Sequence, residues 1–111
     1  MIGVMQIPRH MLTCSMTVKL PDPEADYAGT WGEERTVSGV CFQRREQLGR
    51  SSWSLAEGAS GRVYVDAVNS AGAFEVPVGA RVEIAGQPME CKACQAYEAF
   101  GRVHHWEVDV G

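Results

Sequence analysis

Residues 12–20 read Leu-Thr-Cys-Ser-Met-Thr-Val-Lys-Leu, with an apolar side chain at every second position. Leu12, Cys14, Met16, Val18 and Leu20 alternate with Thr13, Ser15, Thr17 and Lys19. Side chains alternate across a strand, so this period of two predicts a strand with one buried and one wet face. Working outward, the same period recurs. Val40 and Phe42 face inward on a second strand at about 36–44, with Gly39 a candidate bulge. Val63 and Val65 mark a short strand at 62–66, and Asn69-Ser70-Ala71-Gly72 reads as the turn after it. Phe74, Val76 and Val78 alternate as well, and Pro77 assigns them to an edge strand.

Val82 and Ile84 begin a strand that reaches a turn at Gly86-Gln87-Pro88, and Met89, Cys91 and Ala93 continue on its hairpin partner. After a turn at Phe100-Gly101-Arg102, the last strand runs from about Val103 to Val110, with His104, Trp106, Val108 and Val110 on one face. Nowhere do apolar residues follow the helical period for three turns. Six to seven short strands separated by turns predict an all-β fold, a small β-barrel or sandwich in one domain spanning 1–111.

Two stretches break the alternation. Residues 21–35, PDPEADYAGTWGEER, are acidic and start with two prolines, which predicts an exposed loop or long hairpin tip. Residues 45–61 hold three glycines and four serines, with Leu48, Trp53 and Leu55 as the large apolar residues. That is long for a connection in a compact domain, and such loops tend to carry function. A helical turn around 43–48 is its one regular feature.

Composition excludes several classes. At 111 residues the chain can bury one core but not two. No apolar run approaches the ~18 residues of a membrane span. The first residues, MIGVMQIPRHML, lack the order of a signal peptide, since Arg9 follows the apolar stretch and Gln6 and Pro8 interrupt it. The reading is therefore a soluble chain, cytosolic where it is made, without a membrane partner. A net charge of −4 argues against an autonomous nucleic-acid binder, and Arg44, Arg45 and Arg50 read as a solvated basic face. Four cysteines in such a chain read as reduced thiols.

Cys91-Lys92-Ala93-Cys94, followed by His104-His105, is the one constellation with metal-ligand chemistry, because zinc prefers thiolate and imidazole. On a regular strand, however, residues i and i+3 face opposite ways, and adjacent histidines diverge. No Gly or Pro follows Cys94 to make a knuckle. Cys91 and Cys94 thus read as small apolar residues, and no metal or cofactor is expected. His104 or His105 could act as a general base only with an oriented partner, which the sequence does not identify. Asp66 reads as a turn former before Asn69-Ser70. No phosphate loop, nucleophile elbow or carboxylate pair is present, so no enzyme is expected.

Several short patterns, in order, carry a resemblance. They are Ile7-Pro8 before a strand, Val63-Tyr64-Val65-Asp66 followed by Asn69-Ser70, Phe74 ahead of Val78-Gly79, Val82-Glu83-Ile84-Ala85-Gly86, and Val103-His104-His105-Trp106-Glu107-Val108. Together they resemble the small minor capsid proteins of tailed bacteriophages, from the head–tail connector block. Val103 stands where that family has Leu, and Cys91 and Cys94 where it usually has aliphatic residues. The likeness spans the chain except residues 21–35 and 45–60.

The resemblance implies a virion structural protein at the head–tail junction, made in the host cytoplasm. It would self-associate into a ring below the portal, close the DNA-filled head and dock the tail. Its implied partners are the portal or adaptor protein, tail proteins, and packaged DNA without sequence-specific binding. In that role His104, His105 and Trp106 are the candidate interface. Arg50, Ser51, Ser52 and Trp53 are the candidate channel loop, on a Gly/Ser-rich segment suited to a movable gate. Barrel edges would join neighbouring subunits by strand addition. Competing readings are a tail-completion or tail-terminator ring protein and, from another class, a small metal-binding module built on Cys91, Cys94, His104 and His105.

Overall fold

A computed structural model describes residues 7–22 and 31–111. Among the described residues six antiparallel strands close into a barrel. They are β1 (Cys14–Pro21), β2 (Trp31–Arg44), β3 (Gly61–Asp66), β4 (Arg81–Ile84), β5 (Gln87–Ala99) and β6 (Arg102–Val110). Their order around the barrel is β1-β2-β3-β6-β5-β4, and β4 pairs back onto β1 from Met16↔Ile84 to Lys19↔Arg81. Closure removes the open edges that a sandwich would leave.

The expected alternation is what fills this barrel. Met16 and Val18 on β1, Val63 and Val65 on β3, Val82 and Ile84 on β4, and Val108 and Val110 on β6 are all buried. Burying a valine contributes about 1.5–3 kcal/mol. Branched side chains also suit the pleated surface that presents them. Cys14, Leu20, Phe42, Cys94 and Trp106 pack around this core at its margins.

Among the described residues four register shifts modify the alternation, one between Lys19 and Pro21 and three more that each leave a single residue extra. Cys14 pairs with Val40 but Ser15 with Ser38, so Gly39 is an extra residue, with φ of +71°. Because of it Val37 and Val40, three apart, are both buried, and the inward set on β2 begins three residues before Val40. Cys91 pairs with Val110 and Ala93 with Asp109, which leaves Lys92 extra on β5. Tyr97 pairs with His105 and Glu98 with Val103, which leaves His104 extra on β6. A bulge bends its strand and re-aims a side chain.

Several expected boundaries move. β2 begins at Trp31, not near 36, because Glu34 and Arg35 pair with Lys19 and Val18. The acidic connection therefore shrinks, and residues 23–30 of it lie outside the described residues. Residues 73–77 form no strand; Val76 is buried and Val78 is 66% exposed. Pro77 has no N–H for a ladder, and its carbonyl instead accepts from Ala80 N at 3.1 Å. The β4–β5 turn is Ala85-Gly86, both with positive φ, while Gln87 and Pro88 already pair in β5. Two left-handed residues are what a two-residue hairpin needs, and Phe100-Gly101 repeats the arrangement between β5 and β6. β5 itself runs on to Ala99, well past Ala93.

Since every neighbour is antiparallel, β1, β3 and β5 run one way and β2, β4 and β6 the other. The β1–β2, β3–β4 and β5–β6 connections share one end of the barrel. The β2–β3 segment and the Ala85-Gly86 turn lie at the other. Two strand pairs extend beyond the barrel wall: β2 over Trp31–Arg35 pairs only with β1, and β5 over Gln95–Ala99 only with β6.

Candidate functional site

Among the described residues the buried charged side chains, Arg62, Asp66 and Asp109, all lie on β3 and β6. In the β3–β6 ladder Arg62 stands opposite Asp109, Tyr64 opposite Glu107 and Asp66 opposite His105. These positions alternate with the buried valines, so the same period that fills the core lines up charges outside it.

Arg62 and Asp109 are 8% and 6% exposed, deep enough for a pairing to be obligatory. Arg62 Nε donates to Asp109 Oδ1 at 2.6 Å and Nη2 to Oδ2 at 3.2 Å, a two-pronged contact that suits the planar guanidinium. Nη1 lies 3.3 Å from Glu107 Oε1. The hydrogen bond to Asp109 is the main reason the guanidinium holds its proton above its ordinary range, and the Asp109 and Glu107 charges act in the same direction. Tyr64, beside them, has its phenol pushed up by burial first and by Glu107 second.

This pair also fastens the β2–β3 segment. Asp109 Oδ2 accepts from the Ala56 amide at 2.9 Å, and Arg62 Nη2 donates to the Ser54 carbonyl at 3.2 Å. Arg45 Nη2 donates to the Ala59 carbonyl at 2.7 Å, and Ser60 N to the Val110 carbonyl at 2.7 Å. Locally the segment is not a free loop. It opens with a helical turn, α1 (Arg45–Leu48), started by Gln47 Oε1 accepting from Arg44 N at 2.8 Å and closed by buried Leu48. A 3-10 stretch follows over Gly49–Ser54. Anchored at Ser54, Ala56, Ala59 and Ser60, the segment leaves residues 49–53 as its outermost part. There Arg50 and Ser51 are exposed, Ser52 is half-buried and Trp53 is 83% exposed.

Along β6 the network continues to the histidines. His105 Nε2 is 3.1 Å from Glu107 Oε2, and its ring stacks on Tyr97 with centroids 4.9 Å apart. His104 Nδ1 is 2.8 Å from His105 Nδ1, the two rings meeting edge to face. An ionised carboxylate only accepts, so His105 Nε2 is the donor to Glu107, and the direction of the Nδ1–Nδ1 bond follows the protonation of the two rings. The bulge explains how adjacent residues meet, which a regular strand forbids. A chain of hydrogen bonds, joined by the Glu107–Arg62 ion pair, thus runs from His104 through His105, Glu107, Arg62 and Asp109 to Ala56. An open groove of about 220 Å³ lies over its centre, walled by Ser54, Gln95 and Tyr97.

Asp66 acts as the turn former expected of it. Its Oδ2 accepts from Val68 N at 2.9 Å and Asn69 N at 2.7 Å, while Oδ1 accepts from Ile7 N at 2.9 Å. Asn69 Nδ2 returns a bond to the Ile7 carbonyl at 2.9 Å, and Ser70 Oγ donates to the Gly39 carbonyl. Ala67 N donates to the His104 carbonyl at 3.1 Å. Ile7, Asp66, Asn69, Ser70, His104 and His105, far apart in sequence, therefore meet at one end of β3 and β6.

The cysteines sit elsewhere. The Lys92 bulge turns both Cys91 and Cys94 toward the core, opposite Val110 and Val108, correcting the expectation that they face opposite ways. Cys91 is fully buried, and burial, followed by the nearby Cys94, pushes its thiol up to about 12. Burial also raises Cys94 and Cys41. Such groups stay protonated at neutral pH and are weak ligands and nucleophiles. The histidines lie at the Tyr97 end of the ladder, on its polar side. Among the described residues no three His, Cys, Asp or Glu side chains are grouped to hold a metal ion. The four-ligand Cys/His centre is thus not assembled. Trp106, the third candidate interface residue, packs against the core.

Sequence reasoning missed Arg62, Glu107 and Asp109. Their one signal is charge at alternate positions on two strands, which reads as an ordinary solvated face. Among the described residues no helix is long and apolar enough to cross a membrane. Comparison with protein-family models, with curated proteins and with solved structures finds no match to this chain.

Proposed function

We propose that the chain is a structural protein of a tailed-phage head–tail connector, which assembles as a ring below the portal, closes the filled head and docks the tail. The observation that carries the reading is the convergence just described. Ile7, Asp66, Asn69, Ser70 and the His104–His105 pair, which supply the connector-like motifs, are bonded or register neighbours. A rigid barrel with different connections at its two ends also suits a subunit placed between two unlike neighbours.

Ring closure needs a heterologous interface, in which two different surfaces of the subunit meet. The closed wall leaves no barrel edge for strand addition. Such pairing is confined to the overhanging parts of β2 at Trp31–Arg35 and β5 at Gln95–Ala99. The acidic overhang, with Glu34 exposed and Glu33 paired to Arg35 at 3.1 Å, suits either a partner contact or a channel wall that repels DNA. At the opposite end Trp53 is held out by a segment anchored to Arg62 and Asp109, a rigid aromatic contact for a partner.

The test is to add purified protein to DNA-filled, tail-less particles carrying the portal and to image them by electron microscopy. Ring density beneath the portal is the expected result. Binding to isolated tails and not to heads would move the protein to tail completion, and binding to neither would remove the connector reading.

A further inference from the structure

The barrel carries a projecting aromatic and an apolar groove on opposite walls. Trp53 is 83% exposed on the 3-10 stretch Gly49–Ser54, in the segment fastened to β3 and β6 through Arg62 and Asp109. The groove, of about 310 Å³, lies on β4 and β5 and is lined by Trp31, Arg81, Pro88, Met89, Glu90 and Gly111. In the order β1-β2-β3-β6-β5-β4, β3 and β4 face each other across the barrel. We propose that Trp53 of one copy seats in this groove on a second copy of the chain. The ring formed by repeating that contact rests on the connector reading.

Two complementarities point to a second copy as the occupant. One is apolar. Trp31, Pro88 and Met89 offer aromatic, ring and thioether surface to an indole, and buried Met89 makes a fixed floor. The other is charge. Positions i and i+3 of a 3-10 helix share one face, so exposed Arg50 stands beside Trp53. Exposed Glu90 stands beside Met89 at the groove. Its partner within the chain, Lys92 Nζ at 3.2 Å, forms a solvent-exposed pair of small worth, open to a second cation. Arg81, the cation of the groove itself, is taken by Glu83 at 3.2 Å. The surroundings agree: residues 44–53 hold three arginines against Glu46, and Trp31 opens the strand that carries Glu33 and Glu34.

Every copy carries both surfaces, so the contact repeats from subunit to subunit. Because the two surfaces differ it is heterologous, and it closes into a ring when the rotation between copies divides a full turn. The anchoring of residues 54–60 favours it, since a segment already bonded to β3 and β6 loses little conformational freedom on docking. An aromatic anchor in a pocket with an arginine at its side is the pattern that dominates binding at protein interfaces.

The experiment is sedimentation of the purified chain at low salt, from micromolar to millimolar concentration. The parent should self-associate, and less so as salt rises and screens the Arg50–Glu90 contact. Trp53→Ala should weaken association about tenfold or more, as for a truncated aromatic anchor. Val68→Ser, at an exposed apolar residue on the β3–β4 connection, should leave it unchanged. Arg50→Glu and Glu90→Arg should each associate less than the parent, and an equimolar mixture of the two should recover it, because each supplies the charge that the other's surface needs. Both positions are exposed, so neither change touches the core. A parent that stays monomeric at millimolar concentration, parental association in Trp53→Ala, or a mixture no stronger than its components overturns the proposal. Ring density on portal-bearing particles from a chain that does not self-associate would remove this contact and keep the connector reading. Self-association through Trp53 without binding to particles would do the reverse.

Discussion

The ladder between β5 and β6 contains two bulges, and they do opposite things. At Lys92 the extra residue turns Cys91 and Cys94 inward, where burial keeps the thiols protonated and they serve as core filling. At His104 the extra residue brings two imidazoles together at the end of a polar network that reaches the β2–β3 segment. The same backbone device therefore buries thiols on one side of the sheet and gathers polar side chains on the other. What differs is the surroundings: valines against Cys91, and Glu107, Tyr97 and Arg62 along the histidine side. Chemistry follows the environment a side chain is turned into, not the motif it is written in.

Breaking the polar side should cost most. Asp109→Ala leaves Arg62 buried without its main partner, an effect of about 3–5 kcal/mol in urea unfolding. Replacing both residues, Arg62→Met with Asp109→Leu, should recover most of that loss in stability while still releasing the Ala56 and Ser54 contacts. A double variant as unstable as Asp109→Ala would show that packing, not the unpaired charge, sets the cost.

On the apolar side Cys91→Ser places a hydroxyl among valines and should destabilise by about 1–3 kcal/mol. A neutral result would mean that the Val76 carbonyl, 3.9 Å from Cys91 Sγ, satisfies the hydroxyl. The same burial gives a pH dependence. With the folded Cys91 thiol pushed up to about 12 from its ordinary 9.0, the native state keeps a proton that the unfolded chain releases. Stability from this group is therefore complete below about pH 9 and declines as pH rises toward 12, with Cys94 and Tyr64 acting in the same direction. Cys91→Ala should flatten the decline measured between pH 8.5 and 11; an unchanged slope would assign it to the other groups. The smallest effect is reserved for the exposed tip. Trp53→Ala should alter unfolding by no more than about 0.5 kcal/mol while weakening attachment to portal-bearing particles.

Much of this fold is legible in the sequence. Met16 and Val18, Val63 and Val65, and Val108 and Val110 announce their strands and their inward faces, because a half-buried strand must alternate. Bulges break that inference. Gly39 betrays its own, since its positive φ favours glycine. Lys92 and His104 carry no such mark, so parity sends Cys94 to the wrong face and keeps His104 and His105 apart. The anchoring of residues 54–60 is equally hidden. Its glycines and serines suggest freedom, while Arg62 and Asp109, which restrain it, lie on strands outside the segment and 47 positions apart. Asp66, by contrast, is readable as a turn former because its partners Val68 and Asn69 are local.

The central claim is that the outer network makes the β2–β3 segment a fixed part of the barrel, so that Trp53 is presented on a rigid support. Hydrogen exchange at the Ala56 amide tests it most directly, since that N–H donates to Asp109 Oδ2. Strong protection in the parent, lost in Asp109→Asn while the β3 and β6 amides remain protected, is the result expected. An Ala56 amide that exchanges at the rate of an open loop in the parent would contradict the account.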